Sequence, residues 1–142
     1  MLDISKEEII ELLSHNEDVI FIGGTSEYIQ GVKKESRDID ISVKNTEFLN
    51  RFGYVHKSFN NSFYGLSGNR GFIKTKNFII DIFIDDKRPN YIIINNKKCE
   101  TIDSMIELRE KTLEHDLIKD SFFKEKNYNN LNRLKKWKQL QS

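Results

Sequence analysis

An α/β pattern over the first two thirds of the chain, followed by a helical pattern, is what the sequence predicts. Three observations carry this. Short apolar runs with strand character fall between Val19 and Ile94, apolar stripes of helical period precede and follow them, and Gly, Asn and Pro punctuate the intervals. At 142 residues the chain has the length of one ordinary domain, able to bury a core without disulfides. A single domain over residues 1–142 is expected, with residues 1–98 as an α/β core and residues 99–142 as a helical segment.

Taken in order, Ser5 stands three residues before Glu8 and introduces Ile9, Ile10, Leu12 and Leu13, a capping box followed by an apolar stripe. A first helix is expected from about Lys6 to Ser14. Val19-Ile20-Phe21-Ile22 is a continuous apolar run, as in a buried strand, and Gly23-Gly24 ends it. Thr25 or Ser26 can cap a short second helix that Gly31 stops after Ile29. Ile39, Ile41 and Val43 alternate with Asp38, Asp40 and Ser42, a strand with one apolar and one polar side. Thr46 introduces a short helix with Phe48 and Leu49, and the Asn-, Ser- and Gly-rich stretch from Tyr54 to Asn69 reads as irregular or as a hairpin. Phe72 to Thr75, Phe78 to Ile84 and Tyr91 to Ile94 read as strands, with a turn at Asn95-Asn96. Beyond Ile102 the period is helical, first through Met105, Ile106, Leu108 and Leu113, then through Leu131, Leu134, Trp137 and Leu140.

The chain carries 23 Lys or Arg against 22 Asp or Glu, so net charge argues neither for nor against a nucleic-acid partner. Locally the last helix is basic, through Lys124, Lys126, Arg133, Lys135, Lys136 and Lys138. Its leucines and Trp137 favour packing on the core, with the lysines as the wet side. The lone Cys99 forms no internal disulfide, and no apolar run reaches the roughly 18 residues of a bilayer span. A cytoplasmic protein without membrane contact is expected.

Asp38 and Asp40 hold the chemistry. Residues i and i+2 of a strand point to one side, so two carboxylates share a face and repel. A hard divalent cation relieves that repulsion, and Mg²⁺ binds through one or two carboxylates plus substrate phosphates. Gly23-Gly24-Thr25-Ser26 complements them, because a strand-to-helix turn offers backbone N–H groups to phosphate and glycine permits close approach. In Phe78-Ile79-Ile80-Asp81-Ile82-Phe83, Asp81 sits within an apolar strand, where an isolated charge is costly. If that strand lies beside the one bearing Asp38 and Asp40, the three carboxylates converge.

Gly23-Gly24-Thr25, then Ser36, Asp38, Ile39 and Asp40, then Asp81 on a later strand, resemble the nucleotidyltransferase superfamily of DNA polymerase beta, the CCA-adding enzymes and the minimal nucleotidyltransferases. The spacing is similar to that of the toxin component of type IV abortive-infection systems, and the resemblance covers Val19 to Ile84. It implies a polymerase-beta-like fold, a short mixed sheet with helices on one side. It further implies that Asp38, Asp40 and Asp81 hold Mg²⁺ (or Mn²⁺), with Asp81 helping to deprotonate the acceptor. Gly23, Gly24, Thr25 and Ser26 would bind the triphosphate, with Lys34 and Ser36 beside it. The implied reaction moves an NMP from an NTP to a hydroxyl of an RNA, such as a tRNA 3′ end, or of a protein, in a toxin–antitoxin or phage-defence setting. Those toxins are longer, and their helical domain is reduced here to the segment after Cys99. The competing reading is a silent nucleotide-binding module, or a nucleic-acid or protein interaction module, of the same fold.

Overall fold

The computed structural model describes residues 1–58, 69–114 and 120–141. It is an α+β fold built on one mixed, open sheet of seven strands. Helix α1 (Lys6–Ser14) carries the full capping box: the Ser5 hydroxyl accepts from the Glu8 N–H, and the Glu8 carboxylate accepts from the Ser5 N–H. Strand β1 (Ile20–Phe21) runs into helix α2 (Gly23–Ile29), and β2 (Ile39–Val43) follows after a loop. A 3₁₀ turn over Glu47–Phe52 leads to the strands β3 (Val55–Ser58), β4 (Asn69–Lys74) and β5 (Ile79–Ile84). Then come β6 (Tyr91–Ile94), β7 (Lys97–Glu100) and the helices α3 (Ile102–Glu114) and α4 (Ser121–Gln141).

The spatial order is β3-β4-β5-β2-β1-β7-β6. β2 and β5 run parallel, as do β1 and β7, and the other neighbours are antiparallel. Register sorts the residues onto two faces, since paired residues share a face and neighbours along a strand alternate. Phe21, Ile39, Ile41, Val43, Ile80 and Ile82 lie on one face, joining α1 and the 3₁₀ turn in the main core. Tyr54 lies so close over Gly71 that a Cβ there would sit 2.2 Å from its ring, so any larger residue would have to displace the ring.

Helices on one side therefore describes α1 and the 3₁₀ turn, whereas α3 and part of α4 border the opposite face across a cavity. The expected boundary at residue 99 falls inside β7, where Cys99 pairs with Phe21 and belongs to the sheet. β7 itself has no apolar run to announce it. Of the region from Tyr54 to Asn69, β3 and the start of β4 form a hairpin pair, and residues 59–68 lie outside the described part. On α4, Leu131 and Leu134 are buried as the periodicity implies, but Leu140 is 71% exposed.

Candidate functional site

The parallel pairing of β2 with β5 sets Asp40 directly opposite Asp81. Their neighbours Ile39, Ile41, Ile80 and Ile82 are wholly buried on the apolar face, so the pleat sends both carboxyls to the other face. There the two carboxyls come within hydrogen-bonding reach of each other. Burial first, then the negative charges of Asp81 and Asp38, push Asp40 up to about 7, and Arg70 on β4 acts against the shift. Burial likewise raises Asp81, again opposed by Arg70. Asp38 stands just before β2, where its Oδ1 accepts from the Ile79 N–H at 3.2 Å. Asp40 and Asp81 are thus in contact, with Asp38 within electrostatic reach of both. Among the described residues, no group of three or more His, Cys, Asp or Glu side chains is arranged as a ready-made metal cage.

Gly23 takes φ +52°, a left-handed conformation natural to glycine, and a Cβ there would lie 3.6 Å from the Asp40 carboxylate. The turn therefore abuts the acid. Its polar groups, however, face inward. The Gly23 N–H donates to Glu100 Oε1 at 3.1 Å, and the Ser26 hydroxyl donates to the Glu100 carbonyl at 2.7 Å. The Thr25 hydroxyl donates to the Asp38 carbonyl at 3.3 Å and accepts from the Asp40 N–H at 2.8 Å. Both hydroxyl residues are wholly buried within α2, and the N-cap is Ile22, not Thr25 or Ser26. Thr25 braces the turn against β2 and Ser26 braces it against β7, so neither hydroxyl is presented as a phosphate donor.

Ser36 has a similar bracing part: its hydroxyl donates to the Asp38 carbonyl at 2.6 Å, and its own carbonyl accepts from the Lys6 ammonium. Lys34 is exposed in the loop. Its neighbour Lys33 instead lies over the glycine turn, with Nζ 3.4 Å from where a Gly24 Cβ would be and 3.8 Å from the buried Glu27 carboxylate. Burial holds the Lys33 ammonium below the usual lysine range.

A cavity of about 560 Å³ opens at this end of the sheet. Gly23, Gly24, Asp40 and Glu100 form one wall; Arg109, Lys111 and Asn127 come from α3 and α4. The buried Glu27 of α2 binds Arg133 of α4 at 2.7 Å, and Arg109 donates to Asn127 at 2.8 Å, so charged and polar contacts tie the helices in place around the cavity. Arg70, Glu100 and Arg109 are site residues that sequence motifs passed over. The only signal for Glu100 was the Asn95-Asn96 turn, which calls for a returning strand.

The chain matches no protein-family model, no curated protein and no solved structure in the comparisons made. No helix among the described residues is long and apolar enough to cross a membrane.

Proposed function

We propose that this protein is a metal-dependent nucleotidyltransferase of polymerase-beta-like type, moving an NMP from an NTP to a hydroxyl on an RNA or protein acceptor. The observation that carries the reading is the in-register contact of Asp40 with Asp81 beside a glycine turn at the rim of a cavity of nucleotide size. Two half-buried carboxyls set side by side repel when both are ionised, a cost that a bound cation would relieve.

The donor set fits a hard divalent cation. Mg²⁺ characteristically takes one or two carboxylates and completes its shell with water and substrate phosphates, so a cage of three acids is not required. Asp40 and Asp81 would hold Mg²⁺ or Mn²⁺, with Asp38 alongside. When bound, the cation would neutralise charge on the α-phosphate and lower the pKa of the acceptor hydroxyl. The chain's own groups have separate tasks. Asp81 would take the acceptor proton as the new O–P bond forms and pyrophosphate leaves. Arg109 and Lys33 supply positive charge for the departing phosphates, and Thr25 and Ser36 fix the backbone that carries Asp38 and Asp40.

The silent-module alternative draws on Glu100. Its carboxylate occupies the Gly23 N–H, the donor a triphosphate would be expected to use. One experiment separates the two readings. The protein is incubated with each α-labelled NTP, Mg²⁺ or Mn²⁺, and total RNA or lysate, beside Asp40→Ala and Asp81→Ala. Label in a macromolecule that both substitutions remove supports transfer. Saturable NTP binding with no label in any acceptor would leave the silent module standing in its place.

A further inference from the structure

The two edges of the sheet are defended differently. β3 includes His56 and Lys57 among its four residues, whereas β6 reads Tyr91-Ile92-Ile93-Ile94 with no charge, proline or bulge. Natural sheets blunt an open edge with such features, because unpaired main-chain groups recruit another strand. Tyr91, Ile92 and Ile93 are 44%, 44% and 65% exposed.

Which groups are open follows from the hairpin. Asn95 and Asn96 both have positive φ, 49° and 66°, as in the two-residue turn that favours Asn at both central positions. Ile94 pairs with Lys97, Ile92 with Cys99, and the Thr101 N–H donates to the Asn90 carbonyl at 3.0 Å. Positions 90, 92 and 94 therefore spend their N–H and C=O groups on β7, and Tyr91 and Ile93 turn theirs outward.

We infer that β6 is the surface through which two copies of this chain pair, antiparallel about a two-fold axis, into one continuous sheet. The edge is self-complementary. With Ile92 opposite its own copy, Tyr91 of each strand meets Ile93 of the other, and the two pairs exchange about four main-chain hydrogen bonds. No strand side chain is charged, so no like charges oppose across the axis. A second copy is favoured over a free peptide because its strand is already ordered by β7 and loses little conformational entropy on docking. Two four-residue strands make a small contact, below the roughly 1,200 Å² of a stable specific interface, so weak, reversible association is expected. The inference rests on no part of the catalytic reading.

Sedimentation velocity on the full chain from about 1 to 500 µM, a span chosen to take in weak association, tests it. The expected result is a monomer–dimer equilibrium that Ile93→Lys shifts at least tenfold toward monomer, with the circular dichroism spectrum unchanged. A wild type that stays monomeric over the whole range overturns the inference, as does a dimer indifferent to Ile93→Lys. Register has its own test, independent of that variant. In a non-hydrogen-bonded antiparallel pair the Cα atoms stand about 4.5 Å apart, within disulfide reach. Ile92→Cys should then give a covalent dimer on mild oxidation, while Ile94→Cys, offset from its copy, should not. The native Cys99 is buried and stays out of this reaction. Equal cross-linking by the two variants, or none by Ile92→Cys, would refute the two-fold pairing.

Discussion

The two faces of this sheet are built from alternate residues of the same strands, yet one is wholly apolar and dry while the other sets acids beside a small buried cluster of Ile20, Ile22 and Phe83. Ile39, Ile41, Ile80 and Ile82 fill the dry face, and Asp40 and Asp81, between them in sequence, meet on the other. The difference explains how two repelling carboxyls come to be held together. A slip of one residue would send the isoleucines to the wet side, and burying each contributes ~1.5–3 kcal/mol. Together these hold the register that sets the acids opposite each other. The dry face therefore fixes the geometry of the acidic one.

The largest effect should come from attacking the dry face. Ile41→Ala removes a wholly buried side chain between Phe21 and Ile82 and is expected to lower unfolding free energy by about 2–5 kcal/mol, read from urea melts. Asp81→Asn, equally central but on the acidic face, should leave stability at pH 7 unchanged or raise it. Comparable losses in the two variants would break the division into a face that stabilises and a face that acts.

The acidic face carries a pH signature. Folded Asp40 keeps its proton to about pH 7, while an unfolded aspartate releases it near 4. Between those values the folded state binds more protons, so stability is highest at the acid end and falls as pH rises through about 7. Asp40→Asn cannot ionise. It should melt at a higher temperature than wild type at pH 8, with the gap closing toward pH 4. A gap of the same size at both ends would show that the gain comes from packing. Mg²⁺ should narrow it at pH 8 if the acids hold the cation.

Local pattern made part of this legible. The capping box of α1, the alternation of β2 and the burial of Ile80 and Ile82 follow from short-range rules, and with them the face on which Asp81 lies. Pattern did not give Asp81 its neighbour, because β2 and β5 pair across the intervening β3–β4 hairpin. β7 escaped because Lys97-Lys98-Cys99-Glu100 is short and mostly polar, and Glu100 went with it. Thr25 and Ser26 have the residue types of a cap. Because α2 starts at Gly23, they fall inside the helix, and their hydroxyls turn to the sheet. Residue type indicated what these side chains can bond, and only the fold determined with whom.

The smallest effect separates two adjacent lysines. The family resemblance points to Lys34, but that residue is exposed, whereas Lys33 lies over Gly24 beside the acidic face. An exposed side chain with no fixed partner is worth within about ±0.5 kcal/mol, so Lys34→Ala should change Mg²⁺-dependent NTP affinity less than about twofold. Lys33→Ala removes a half-buried cation from the turn and should weaken NTP binding by about tenfold, with Arg133 still holding Glu27 and the fold intact. Isothermal titration of both variants decides between them. A larger loss from Lys34→Ala would mean that the loop over Val32–Arg37 closes on the nucleotide, placing the phosphates outside the cavity that Arg109 lines and away from the wall where Asp40 meets the glycine turn.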